Sequence, residues 1–310
     1  MIKTIVSIEM PVDERLLIRK NSFSGGTSDK RVCIVTGTHG DELEGQYVCF
    51  LLARELHRHP DLLDGTVDIY PALNPLGIDS ITRGIPGFDL DMNRIFPGDP
   101  HGGMYESTAY SIIQDLVGST VVIDIHSSNI FLREVPQVRI NQLTAEKLVP
   151  MARLLDIDFI WVHEAATVLE STLAYSLNVQ DTPVLVVEMG VGMRITNSYG
   201  ERLVAGIFNM LRSLGMWKDG KEPTEYNPID STKGHVEFVN ADSSGIFLTS
   251  KEKPLRASAG EVIGQVVDSL TGETLQEIQL EKPGYVFTIR AYPVVYEGSL
   301  LARIFREDAE

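Results

Sequence analysis

Arg31-Val32-Cys33-Ile34-Val35-Thr36-Gly37-Thr38-His39-Gly40-Asp41-Glu42 begins as an apolar, β-branched run and breaks at a glycine into two metal-capable side chains. The run reads as a buried strand, and Gly37 to Gly40 as the turn leaving its carboxyl end. Thr120-Val121-Val122-Ile123-Asp124-Ile125-His126 has the same form, with a histidine where the second strand ends. In open α/β sheets ligands gather in the crevice beyond the carboxyl ends of the strands, so both segments aim at one place. His39 and Glu42 are three residues apart at the expected start of a helix, a spacing that sets both side chains on one side of its first turn. Two imidazoles and one carboxylate form a zinc ligand set that leaves a fourth position for water. Against this stand two simpler readings: H-x-x-E alone arises by chance, and a lone histidine at a strand end is more often a hydrogen-bonded structural residue.

From residue 31 to about 215 strands and helices alternate. After the first strand comes a helix over 41–57, with Leu43, Tyr47, Phe50, Leu51 and Ala53 as its apolar face. Arg54, His57, Arg58 and His59 precede Pro60 and suit the negative end of the helix dipole, so the two histidines read as helix-end residues. A strand at 66–70, a long loop at 71–103, a helix at 105–117 and the strand ending at His126 follow. A helix at 143–155, strands at 158–162 and 183–188 and a helix at 199–214 complete the series. Such alternation predicts an α/β domain with a mixed or parallel sheet covered by helices. Lys218-Asp219-Gly220-Lys221-Glu222-Pro223 reads as a linker, and residues 236–306 as short strands between turns. The expected division is a catalytic domain over 1–222 and a small all-β domain over 223–310.

A chain of 310 residues, 43% of them hydrophobic, can bury a large core. Its net charge of −16, without a compensating lysine and arginine stripe, argues against nucleic acid and anionic membranes as partners. No signal-peptide pattern or membrane-spanning apolar run is visible, so the expectation is a soluble, cytoplasmic protein. The only two cysteines, Cys33 and Cys49, sit among apolar neighbours and read as small core residues without a disulfide. A homo-oligomer is left open.

The loop at 71–103 is long enough to suggest function. It holds Asn74-Pro75, Arg83, and Asp91-Met92-Asn93-Arg94-Ile95-Phe96-Pro97-Gly98. The planar fork of Arg94 suits a carboxylate, the Asn93 amide adds a donor, and Arg83 can face a developing oxyanion. The simpler alternative is ion pairing of these arginines with Asp89 and Asp91. Pro183-Val184-Leu185-Val186-Val187-Glu188-Met189-Gly190 delivers a carboxylate after an apolar run. Desolvation there would raise its pKa toward that of a useful base, unless Glu188 is an ordinary exposed strand exit.

These pieces together resemble the succinylglutamate desuccinylase/aspartoacylase family of zinc carboxypeptidase-like deacylases: Gly37-Thr38-His39-Gly40-Asp41-Glu42, Asn74-Pro75, Asp91 to Gly98, Asp124-Ile125-His126 and Val187-Glu188-Met189-Gly190. The resemblance implies a carboxypeptidase-like mixed sheet flanked by helices. It implies one Zn2+ per chain held by His39, Glu42 and His126, with Glu188 activating the water. Asn93 and Arg94 would grip a substrate carboxylate, and Arg83 would steady the scissile carbonyl oxygen. The Gly84-Ile85-Pro86-Gly87-Phe88 segment, longer than in aspartoacylase itself, makes Arg83 the weakest transfer. Asp124, two residues before His126 on the same strand face, would orient a ligand or the water network. The implied substrate is a small N-acyl amino acid. The alternatives are a metallocarboxypeptidase acting on short peptides and a non-catalytic, metal-free binding protein. The tail resembles a biotinyl/lipoyl-type barrel sandwich, but Lys251, Lys253 and Lys282 lack the neighbours of a carrier lysine, so it reads as structural or as a wall of the cleft.

Overall fold

Each central strand carries two apolar faces because it is covered on both sides. A computed structural model describes residues 1–88, 90–164, 169–250 and 255–308. The first part of the chain contains strands β1 (Ile2–Glu9), β2 (Arg15–Gly25), β3 (Arg31–Thr36), β4 (Gly65–Tyr70), β5 (Val121–Ser127), β6 (Leu132–Asn141), β7 (Phe159–His163) and β8 (Val184–Gly190). Its helices are α1 (Glu44–Arg58), α2 (Pro75–Ser80), α3 (Met104–Leu116), α4 (Ala145–Ala152), α5 (Leu173–Asn178) and α6 (Asn197–Ser213). Strand order is β1-β2-β4-β3-β5-β8-β6, with β4, β3, β5 and β8 mutually parallel and the outer strands antiparallel. Val32 and Ile34 face a core built with α1, α4 and α6, whereas Cys33 and Val35 face a core built with α3 and α5. This two-sided burial explains why the strand reads as a continuous apolar run rather than an alternation.

Beyond α6 come β9 (Ile229–Asp230), β10 (Gly234–Asn240), β11 (Gly245–Thr249), β12 (Leu255–Ala257), β13 (Val262–Val267), β14 (Thr274–Gln279), β15 (Gly284–Arg290), β16 (Val294–Val295) and β17 (Leu300–Glu307). Strands β14-β13-β11-β16 form a second sheet, packed through Phe247, Ile263, Val266 and Ile278 against Val286, Ile289 and Ile304 of the other layer. That other layer continues the main sheet: β15 pairs antiparallel with β6, setting Thr288 opposite Glu134. Phe159, Phe287 and Phe305 seal the junction, with the first two rings stacked at 4.3 Å. The C-terminal strands are thus joined edge to edge to the sheet that bears the strand-end histidines. Of the tail lysines, Lys251 and Lys253 lie outside the described residues, and the Lys282 carbonyl accepts from Arg306.

Three local expectations change. The helix begins at Glu44, and His39 to Leu43 form a turn before it, so the closeness of His39 to Glu42 comes from that turn. Its buried face is Val48, Cys49, Leu51, Leu52 and Leu56, while Phe50 is 55% exposed beneath the Arg54 guanidinium. The loop at 71–103 contains α2, whose N-terminus is capped by the Asn74 side chain, and a turn over Met92–Arg94 capped by Asp91. Both cysteines are buried and free. Among the described residues no helix is long and apolar enough to cross a membrane.

Candidate active site

The turn after β3 can reach the sheet edge only with glycines in it. Gly37 has a φ of 69°, and a Cβ on Gly40 would lie 1.9 Å from the backbone carbon of Gly77. The turn delivers His39 and Glu42 to the end of β5, where His126 emerges. All three side chains are buried, and their donor atoms lie within 4.8 Å of one another. Glu42 lies between the rings: Oε1 is 2.8 Å from His39 Nδ1 and Oε2 is 2.9 Å from His126 Nδ1. The Ser127 backbone N–H donates to Oε2 at 3.1 Å.

Behind each imidazole stands a second carboxylate. Asp91 Oδ1 is 3.0 Å from His39 Nε2, and Asp124 Oδ2 is 3.2 Å from His126 Nε2. For His39 the hydrogen bond from Nε2 to Asp91 leaves Nδ1 facing Glu42, whereas His126 makes its hydrogen bond to Glu42 through Nδ1 and none through Nε2. His39 Nδ1 is buried and, although close to Glu42, makes no hydrogen bond. A buried imidazole nitrogen that makes no hydrogen bond and faces a carboxylate, with a second imidazole across from it, is the donor set of a divalent metal site, so the group fits such an ion. Burial works against the Glu42 charge, but His126 and His39 outweigh it and hold its carboxyl well below the usual range. The closeness of Asp124 matches the expectation from sequence spacing. The contact of Asp91 with His39 was not foreseen, because Asp91 is distant in sequence and read only as an arginine partner.

Arg83 donates to Glu42 Oε1 at 2.9 Å and lies 3.4 Å from Asp91 Oδ2, so the ion pair weighed as its simpler alternative is present at the edge of the site. Asp89, its other expected partner, lies outside the described residues. Asn93 Oδ1 accepts from the Leu173 N–H at 2.9 Å, which turns the amide and ties this loop to α5. Arg94 Nη1 donates to the Asn93 carbonyl at 2.7 Å, and its side chain is exposed.

Glu188 stands beside His126 because β5 and β8 are parallel and in register at that pair. Burial pushes its carboxyl up to about 7, and Arg139, whose Nη1 lies 3.2 Å away, pulls in the other direction. Arg139 is fixed in turn. Its Nη2 donates to both oxygens of the fully buried Glu134 at 2.8 Å, and Arg303 from β17 donates to the same carboxylate at 2.6 Å. The two guanidinium groups also lie 5.4 and 5.1 Å from the Trp161 ring. A cleft of about 420 Å³ is lined by the His39–Glu42–His126 group together with Arg83, Asn93, Arg94, Glu188 and Arg303. All seven residues singled out from the sequence therefore meet in one cleft. Arg139, Glu134 and Arg303 were missed, for in the sequence they look like surface charges of edge strands.

Residues 28–214 match the model of the succinylglutamate desuccinylase/aspartoacylase catalytic domain. Over 101 residues the chain is 36% identical to the N-alpha-acetyl-L-2,4-diaminobutyric acid deacetylase of Halomonas elongata, a match spanning 32% of this chain and 29% of that protein. Among solved structures it is similar to the product-bound ectoine utilization protein EutE (DoeB) from Ruegeria pomeroyi, with a TM-score of 0.80 and 19% identity over 98% of this chain and 94% of that one. An aspartoacylase family protein from Mesorhizobium loti has a TM-score of 0.77 and 23% identity, covering 100% and 95% of the two chains. At such identities the structural likeness speaks for the fold, while the family model speaks for descent. Because that model spans residues 28–214, more than half of the chain and all seven cleft residues expected from the sequence, the chain belongs to the succinylglutamate desuccinylase/aspartoacylase family.

Proposed function

We propose that the protein hydrolyses the amide bond of a small N-acyl amino acid in a zinc-dependent reaction, giving a carboxylate and a free amine. The observation that carries this reading is the placement of Glu188 beside His126, in a cleft that also holds His39, Glu42, Asn93 and Arg94. His39, Glu42 and His126 would hold the ion. Zinc there supplies Lewis-acid polarisation of the amide carbonyl and makes water a competent nucleophile near neutral pH. Glu188 takes the proton of the attacking water and returns it to the leaving nitrogen, a task suited to a carboxyl with a pKa of about 7. Arg94 and the Asn93 amide hold the substrate carboxylate, and Arg83 faces the oxyanion once substrate draws it from Glu42. Arg303 brings the C-terminal strands into the wall of the cleft, an arrangement that favours a small substrate over a peptide. The similar Halomonas elongata deacetylase, whose name describes removal of an acetyl group from an amino acid, supports the same class of reaction.

The test is amine release from a panel of N-acetyl and N-succinyl amino acids with and without chelator. About one zinc per chain, loss of turnover on chelation and recovery with zinc are expected. Zinc should also stabilise the fold by about 4 kcal/mol when free metal is about 1,000 times its Kd, read as a rise in Tm. Undiminished turnover in metal-free protein would remove the proposal.

Activity should fall as pH drops through the pKa of Glu188, because only the ionised carboxylate accepts a proton. Arg139 favours that ionised form. Arg139→Gln is therefore expected to shift the acid limb of the kcat/KM profile to higher pH, and a shift to lower pH would contradict this arrangement.

A further inference from the structure

Beside the cleft, on the far side of Glu188, lies a second chamber of about 310 Å³, within the range of small-molecule pockets, roughly 300–1,000 Å³. Asn93, Arg139, Val186 and Glu188 line both spaces, so the two adjoin at the proposed base and carboxylate anchor. Beyond that junction the exposed wall is more apolar than polar, with Ile140, Leu148, Ala174 and Val184 inside and Leu143 and Val179 at a rim where they are 89% and 62% exposed, while His163 and Tyr175 add polar edges. The charges at the junction are engaged with each other: Asp124 with His126, and Arg139 with Glu134 and Glu188. Two of the polar wall groups are spent on the backbone, since Asn178 Oδ1 accepts from the Val184 N–H and the Thr144 hydroxyl donates to the Asn141 carbonyl. A carboxylate or ammonium entering the chamber would lose its hydration against the aliphatic part of the wall, whereas an apolar side chain gains there by leaving water.

We propose that this chamber receives the side chain of the substrate's amino-acid half, and that the protein selects N-acyl derivatives of amino acids with large apolar side chains. The inference rests on the deacylase reading and adds a substrate class to it. Its geometry follows from Asn93. An α-carbon whose carboxylate is held at Asn93 and Arg94 places its side chain next to the chamber mouth, while the acyl group extends toward the Arg303 side of the cleft.

The experiment uses the whole 310-residue chain loaded with zinc and five substrates: the N-acetyl derivatives of leucine, phenylalanine, glycine, aspartate and 2,4-diaminobutyrate. The leucine and phenylalanine compounds should exceed the aspartate and diaminobutyrate compounds in kcat/KM by at least about 10-fold. Ala174→Phe, which fills the chamber, should lower the ratio of the phenylalanine to the glycine compound by about 10- to 100-fold. Val179→Asp, at the exposed rim where the fold is not at stake, should lower the leucine-to-glycine ratio in the same direction. Preference for aspartate or diaminobutyrate, or ratios unmoved in both variants, overturns the chamber's role and leaves the deacylase reading standing. Amine release from none of the five overturns both.

Discussion

Glu188→Gln is expected to lower kcat by about 10²–10⁴-fold, the usual contribution of a positioned proton-transfer group. The amide keeps the shape of the side chain but accepts no proton, so water is no longer activated and the leaving nitrogen receives none. Glu188 is not among the three residues proposed to hold the metal, so zinc content should remain about one per chain. Those two readouts separate loss of the base from loss of the centre. A variant that keeps more than a tenth of normal turnover would remove Glu188 from its proposed role. Parallel loss of zinc would make it part of the metal site instead.

The largest expected effect on stability falls on a residue outside the proposed chemistry. Glu134 is fully buried and accepts from Arg139, from Arg303 and, at 3.3 Å, from the Thr288 hydroxyl. Glu134→Ala leaves both guanidinium groups without their shared counter-charge in the seam between β6, β15 and β17. Breaking such a buried arrangement by removing one partner costs about 3–5 kcal/mol. Urea unfolding should show this as a fall in midpoint, and Glu134→Gln, which keeps acceptor capacity, should lose less. A loss below about 1 kcal/mol for the alanine variant would mean that the two arginines find other partners.

The parts of the fold legible in the sequence are those in which local pattern and final environment agree. The runs at 31–36, 120–125 and 183–188 are apolar because β3, β5 and β8 are covered on both faces, and each strand appears where its pattern stands. Strand β6 shows the opposite case. Leu132-Arg133-Glu134-Val135-Pro136-Gln137-Val138-Arg139 carries charges, a proline and a register shift, and in sequence it resembles a loop or edge. Glu134 is buried there with Arg139 of its own strand and Arg303 of β17 against its carboxylate, and the second of these partners is invisible to any window of neighbouring residues. The N-terminal hairpin of β1 and β2 was likewise unread, since it sits at the margin of the sheet and its first strand is mostly exposed.

By itself, the sequence determined the chemistry on offer: His39, Glu42 and His126 at strand ends, Glu188 closing a third strand, and Arg83, Asn93 and Arg94 in one long loop. These could be read because a strand's carboxyl end and the turn after it are local features, and an α/β sheet gathers such ends at one edge. Only the tertiary structure decided what lies behind and beside them. Asp91 reaches His39 from a distant loop, Arg303 comes from the C-terminal strands, Glu134 binds two arginines, and an apolar chamber opens next to Glu188. Each of those depends on which strands pair and in what register. Pairing is set by long-range burial and charge compensation, which no short stretch of residues encodes alone.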